Sequence, residues 1–205
     1  DVKLFKVGDR VTHASMPIGA YSEKQIMPEE KLISVPDKIS DEVASCITLK
    51  GITAEYLLHR AYPLKKGDKV LYHAAAGALG QILCSWANSL GAEVIGTVGS
   101  KAKEEIAKKN GCHHVINYSE KNFLEEVEKI VGKNGIDVVY DGVGKNTFKG
   151  SIETLKVRGM MVAFGNASGY VDTIDVKKDI NAKGLFFTRP SIAHYTIKRE
   201  ELVES

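Results

Sequence analysis

One stretch, Val70 to Gly80, constrains this chain more than any other. The apolar run Val70-Leu-Tyr-His-Ala-Ala-Ala stops at small residues, with Gly77 and Gly80 three apart. Apolar side chains then follow at helical spacing (Ile82, Leu83, Trp86, Ala87, Leu90), end at Gly91, and give way to Val94-Ile-Gly-Thr-Val98. Strand, tight turn, helix, strand is the unit that presents a helix N-terminus to a nucleotide pyrophosphate. The first N–H groups of that helix have no partner of their own, and the dipole there is positive.

The full dinucleotide pattern is Gly-x-Gly-x-x-Gly. This chain has Ala75-Ala-Gly77-Ala-Leu-Gly80, with Ala in the first slot. Gly77 lets the backbone approach the pyrophosphate, and Gly80 lets the helix pack closely on the strand. The N–H groups of Ala78 and Leu79 are expected to point at phosphate oxygens. Glycines are common, so the placement between a strand and a helix carries the reading. The competing reading is a structural turn that binds nothing.

The end of the second strand discriminates between cofactors. An NAD site usually has Asp or Glu there, about twenty residues past the loop, for the ribose hydroxyls. This chain has Gly96-Thr-Val-Gly-Ser100, followed by Lys101 and Lys103. An acid would repel a 2′-phosphate and a cation attracts it, so the residues favour NADPH over NADH. Lys103 sits one turn into the next helix, where its ammonium can curl back. Two solvated lysines at a helix start are the alternative.

Size and composition exclude several classes. At 205 residues, one full domain and part of another is the natural expectation. The net charge of +2 spreads 28 basic residues among 26 acids and favours neither nucleic acid nor membrane. No run of about eighteen apolar residues exists to span a bilayer, and no signal peptide is visible. Cys46, Cys84 and Cys112 lie far apart, without metal spacing. They read as reduced thiols of a cytosolic protein, with a single reactive thiol left open. The chain starts Asp1-Val2-Lys3, without Met, and so reads as a piece of a longer protein.

The rest of the chain alternates. Residues 1–40 show turns and short extended pieces, the tail of a β-rich domain. Ser40 is a helix N-cap, with Asp41 and Glu42 in the positive first turn. Helical pattern runs to about Leu49, is punctuated by Gly51, and resumes from Thr53 to Ala61. Beyond the glycine loop, helices at 101–110, 120–131 and 146–155 separate strands at 114–117, 137–141 and 159–165. A further strand is expected at 185–188, and a last helix near Ile197. Apolar strands alternating with helices imply an α/β fold, a doubly wound parallel sheet covered on both faces. The expected division is 1–40, the end of one domain, and 41–205, a Rossmann cofactor-binding domain.

Six motifs in order resemble a known family: His73-Ala-Ala-Ala-Gly-Ala-Leu-Gly80, Gly96-Thr-Val-Gly99, Val115-Ile-Asn-Tyr118, Tyr140-Asp-Gly-Val-Gly144, Phe164-Gly-Asn-Ala-Ser168 and Thr188-Arg-Pro-Ser191. The chain is similar, over essentially its whole length, to zinc-free, zeta-crystallin-like quinone oxidoreductases of the medium-chain dehydrogenase/reductase superfamily. The resemblance implies that residues 1–40 end a GroES-like catalytic domain. It also implies hydride transfer from NADPH to a quinone. By the same likeness Thr53 lies near the nicotinamide, and Gly99, Ser100 and Lys103 meet the 2′-phosphate. Tyr118 lies against that phosphate or the adenosine, and Val143 and Phe164 line the cofactor cleft. Phe187, Thr188 and Arg189 lie near the nicotinamide carboxamide. Zinc-using relatives carry a zinc-binding Cys just before the glycine matching Gly51; this chain has Lys50, and an ammonium is not a zinc ligand. Gly142 and Ala167 stand where Ser is frequent, each removing a polar contact to the cofactor.

Hydride transfer to a quinone needs position and a dry cleft, since the cofactor carries the chemistry. No obligatory general acid is expected and no catalytic residue is nominated. Arg189 either assists an anionic hydroquinone or makes an ordinary ion pair. Leu185-Phe-Phe-Thr188 is a candidate sheet edge, and edges invite pairing; a cytoplasmic homodimer is the expectation. Three other readings compete: an NADPH-dependent alkenal or enone reductase of the same superfamily, a non-enzymatic NADPH-binding protein acting as a crystallin or on RNA, and an NAD-linked alcohol dehydrogenase. The absence of a basic stripe opposes RNA.

Overall fold

The computed structural model describes residues 2–14 and 17–205. Two compact units divide the chain: residues 1–56 with 191–205, and residues 57–190. The expected boundary after residue 40 therefore differs from the division by contacts, which comes at Tyr56 and Leu57 and returns the chain's end to the first unit.

In the first unit, β1 (Val11–Thr12) pairs antiparallel with β2 (Ile33–Ser34). The helix α1 (Asp41–Glu55) starts at Ser40, whose hydroxyl accepts the Val43 N–H at 3.3 Å. Gly51 does not interrupt it; α1 runs unbroken through that position. One glycine costs a helix only about 1 kcal/mol, which the flanking turns absorb. The two short helices Ile192–Tyr195 and Arg199–Glu204 complete this unit. There Tyr195 stacks on Tyr56, with ring centroids 4.5 Å apart.

A π-helical turn, Tyr56–Ala61, leads from the last residue of the first stretch into the second unit, which then alternates strand and helix. The order is β3 (Lys69–His73), α2 (Ala78–Ser89), β4 (Glu93–Val98), α3 (Lys101–Lys109), β5 (His114–Asn117), α4 (Phe123–Val131), β6 (Ile136–Asp141), α5 (Phe148–Thr154), β7 (Leu155–Ala163), and, after another π-helical turn at Val176–Asn181, β8 (Phe186–Thr188). The six strands form one parallel sheet ordered β5-β4-β3-β6-β7-β8. Counted from β3, that is the doubly wound order 3-2-1-4-5-6. β6 is buried at every position, as a central strand covered on both faces must be. Leu71, Ile95, Val139, Phe148, Leu155 and Met161 are fully buried members of the core.

Three boundaries differ from the sequence expectation. Asn122 caps α4, accepting the Leu124 N–H, so the helix starts at Phe123. β7 begins at Leu155, where the end of α5 passes directly into strand, with Arg158 held at φ +63°. The π-helical turn at 176–181 has no apolar period to announce it. Asp175 starts that turn by accepting the N–H groups of Lys177 and Lys178.

Candidate functional site

Doubly wound sheets bind ligands outside the carboxyl ends of the strands, where the order reverses. Here that point lies between β3 and β6. β3 ends at His73, and Ala74 takes a left-handed conformation, φ +63°. The Gly77 N–H donates to the Ala74 carbonyl at 2.9 Å, closing the turn into α2. A Cβ at residue 80 would come within 2.6 Å of the carbonyl oxygens of both Ala74 and Ala75. Only glycine lets α2 pack so close to the strand end, as the spacing of Gly77 and Gly80 predicts. Gly77 is the N-cap of α2 and supplies no side chain to it, and both Gly77 and Ala78 are exposed. The first amides of α2, those of Ala78 and Leu79, therefore face open space without a capping group.

A second group of residues gathers past β4. Tyr118, exposed, folds over Gly99, its hydroxyl oxygen 2.5 Å from where a Cβ on residue 99 would stand. The Ser119 hydroxyl donates to the Gly99 carbonyl at 2.8 Å. Ser100 caps α3 through its backbone alone, its hydroxyl not bonded to the first turn. Lys103 is exposed, and its ammonium has no hydrogen-bond or ion-pair partner among the described residues. The neighbouring acids are engaged elsewhere: Glu104 accepts from Asn117 at 3.2 Å, and Glu105 pairs with Lys108 at 3.0 Å. The structure thus brings Gly99, Ser100 and Tyr118 together at the end of β4, with a free ammonium on the helix that follows.

The third group is the pair of loops after β6 and β7. The Ser168 N–H and hydroxyl both donate to the Val143 carbonyl at 2.8 Å, and the same hydroxyl accepts the Asn146 N–H at 3.0 Å. The Ala167 N–H donates to the Gly142 carbonyl at 3.2 Å. Phe164 covers Gly142, where a Cβ would come 2.9 Å from its ring, and stacks at 6.2 Å on Tyr72. Serine at position 142 would therefore displace the ring, so Gly142 has a packing role that the sequence reading missed. Val143 is half-buried in this zipped pair of loops.

Beneath the loops lies a network the sequence reading also missed. Asp141, fully buried, accepts the N–H groups of Val143 and Gly144 on one oxygen (2.8 and 2.9 Å) and the hydroxyls of Thr147 and Ser151 on the other (2.7 and 3.2 Å). Ser151 in turn stands 2.9 Å from His73 Nε2, and Thr97 stands 3.0 Å from His73 Nδ1. Burial holds the His73 ring below its ordinary pKa of 6.5, with the Asp141 carboxylate pulling the other way. The visible signal was an acid closing the buried strand β6, two residues ahead of a Val-Gly pair.

The remaining predicted site residues belong to other elements. Phe187 and Thr188 belong to β8, the sheet edge, where Phe187 packs edge-on against Phe148 at 6.1 Å. Arg189, exposed, donates from Nη1 to the Pro190 carbonyl at 3.2 Å. Thr53 belongs to the first unit, and its hydroxyl donates to the Leu49 carbonyl at 2.7 Å.

Residues 78–204 match the family described as zinc-binding dehydrogenase. The chain belongs to that family. It is 50% identical over 203 residues to a 2-haloacrylate reductase of a Burkholderia species, matching 98% of this chain and 61% of the relative. It is 44% identical over 205 residues to quinone oxidoreductase 1 of Escherichia coli, matching 100% of this chain and 62% of the relative. The crystal structure of the Escherichia coli quinone oxidoreductase complexed with NADPH superposes with a TM-score of 0.95 over 99% of this chain and 62% of that one. Motif order, sheet order and these likenesses place the chain in the medium-chain dehydrogenase/reductase superfamily beside the quinone oxidoreductases. The chain spans about three fifths of the length of these relatives.

The family's name raises the question of zinc. Lys50 occupies the position of the expected zinc-binding Cys, and its ammonium donates to the Cys46 carbonyl at 3.2 Å. Among the described residues no group of three or more His, Cys, Asp or Glu side chains is placed to hold a metal ion. NADPH fits the residues at the glycine turn: the close-packed Gly80 turn leaves the α2 amides uncovered, and the end of β4 carries no acid.

Proposed function

We propose that the protein containing this chain transfers a hydride from NADPH to a quinone without zinc. One observation carries the reading: Lys103 stands unpartnered beyond the Gly99–Tyr118 pair, where an NAD site would have a carboxylate. When bound, NADPH supplies the hydride. The amides of Ala78 and Leu79 hold the pyrophosphate, which Gly77 lets approach the backbone. Gly99, Ser100, Lys103 and Tyr118 hold the 2′-phosphate, with Lys103 providing the charge. Val143 and Phe164 exclude water from one side of the nicotinamide cleft, and Phe187, Thr188 and Arg189 flank its carboxamide. Asp141 keeps the Val143 loop in place. No helix is long and apolar enough to cross a membrane among the described residues, and the substrate is a small molecule. The edge strand β8, with Phe186 more than half exposed, supports pairing of two subunits into a homodimer.

A second reading, reduction of an activated carbon–carbon double bond, is favoured by the 50% identity to the 2-haloacrylate reductase. The two share a cofactor site and differ in the hydride acceptor. Steady-state NADPH oxidation by the full-length protein with 1,4-benzoquinone, an enone and 2-chloroacrylate decides between them. The quinone is expected to give the highest kcat/KM; faster turnover of either alkene overturns the first reading in favour of the second. Calorimetric titration is expected to show tighter binding of NADPH than of NADH, and the reverse order defeats both.

A further inference from the structure

Cys84 and Cys112 are distant in sequence and adjacent in the fold. Cys84 lies in the middle of α2 and is fully buried; Cys112 lies in the turn before β5 with 7% of its surface exposed. Gly111 brings the backbones together, since a Cβ there would come within 2.9 Å of the Cys84 carbonyl oxygen. The two thiols act on each other's proton affinity as neighbours, raising that of Cys84 and lowering that of Cys112. On its other side the Cys112 sulfur presses on β4. A Cβ on Gly96 would meet Cys112 Sγ and the Ala75 methyl at 2.6 Å each. The sulfur pair is thus wedged between α2 and the sheet, beside the glycine turn, and no part of the reaction above uses it. Cys46, the remaining cysteine, is exposed and lies in the other unit.

We infer that Cys84 and Cys112 form a thiol–disulfide site, oxidised by a hydroperoxide to an intramolecular disulfide that ties α2 to the turn before β5. Cys112, the less buried of the two and the thiol whose pKa its neighbour lowers, is the nucleophile, and Cys84, fully buried with its pKa raised, is the resolving thiol. In the first step the Cys112 thiolate attacks a peroxide oxygen. The O–O bond breaks, and hydroxide leaves and is protonated to water, giving a sulfenic acid. In the second, Cys84 sulfur attacks the Cys112 sulfur; the S–S bond forms, the S–O bond breaks, and the departing hydroxide leaves as water with the Cys84 proton. Two electrons pass from the sulfurs to the peroxide, and a dithiol reductant reverses the change. A bond of about 2.05 Å draws the sulfurs closer than two unbonded thiols can stand. It therefore shifts Cys112 relative to Gly96 and Ala75.

The test treats the full-length protein with stoichiometric hydrogen peroxide, alkylates under denaturing conditions and maps the peptides by mass spectrometry. The expected product is a linked pair of peptides carrying Cys84 and Cys112, two hydrogens lighter than the separate peptides, and split by dithiothreitol. Cys46→Ser is expected to keep the link, which separates it from reactions of the exposed thiol. Cys84→Ser is expected to leave Cys112 as a sulfenic acid trapped by dimedone. Full alkylation of Cys84 and Cys112 after peroxide, in the unaltered protein or in Cys46→Ser, overturns the inference. So does oxidation confined to Cys46.

Discussion

His73 Nε2 lies 2.9 Å from Ser151 Oγ, joining the end of β3 to α5 wholly inside the second unit. The same hydroxyl reaches Asp141, and Asp141 holds the Val143 and Gly144 amides. The spacing invites comparison with a hydrolase triad, but all three side chains are buried below the loops. Their work is to hold the switch point of the sheet in one arrangement, as fully satisfied buried polar networks do.

His73 gives the fold a defined pH response. Burial depresses its folded-state pKa below 6.5, the value it regains on unfolding. As pH falls below about 6.5 the unfolded chain takes up a proton that the folded chain refuses, so stability falls with pH; above that point His73 contributes no slope. Replacing it, His73→Gln, is expected to remove up to about 1.4 kcal/mol per pH unit from the slope of unfolding free energy between pH 6.5 and 5.5. Urea unfolding at several pH values measures it, and equal slopes in both proteins would refute the assignment.

Asp141 accepts four hydrogen bonds and donates none. In Asp141→Asn one end becomes a donor and must face either two amides or two hydroxyls. The hydroxyls can turn to the Gly144 and Thr147 carbonyls and the amides cannot, so the Asn oxygen keeps the amides and the cost is the loss of the charge-assisted bonds, about 1.5–3 kcal/mol. Denaturant titration is expected to show this loss, together with weaker NADPH binding in fluorescence titration, because the Val143 loop loses its anchor.

Gly99 and Tyr118 compete for one space. Gly99→Ala places a methyl 2.5 Å from the present Tyr118 hydroxyl, so the exposed ring swings out. Stability is expected to change by less than about 0.5 kcal/mol, as for surface substitutions generally. NADPH affinity is expected to drop several-fold, and Tyr118→Ala should make the Gly99→Ala change neutral. Additive losses in the double variant would show that the two residues act separately.

Lys103→Glu reverses an exposed charge, unpartnered among the described residues, on the helix after β4. A charge-assisted hydrogen bond is worth about 1.5–3 kcal/mol, so NADPH should bind at least about tenfold more weakly while NADH is unaffected. The wild-type preference should also shrink as salt rises. Equal weakening of both cofactors would mean that the substitution disturbs α3 rather than a phosphate contact.

The sequence by itself determined the alternation of strand and helix, the glycine turn and the missing acid after β4. Those are local properties: apolar period, a turn that tolerates no side chain, and charge at a strand end are all written within a dozen residues. It also located Ser40 as a cap, because a cap bond spans only three residues. Only the tertiary structure decided which distant residues share a space. Phe164 explains Gly142, Tyr118 explains Gly99, and Ser151 joins Asp141 to His73, 78 positions earlier in the chain than Ser151. Cys84 and Cys112 meet for the same reason, because α2 and the turn before β5 lie on the same face of β4. A parallel sheet places residues side by side only after a crossover helix intervenes, so no spacing along the chain records those meetings.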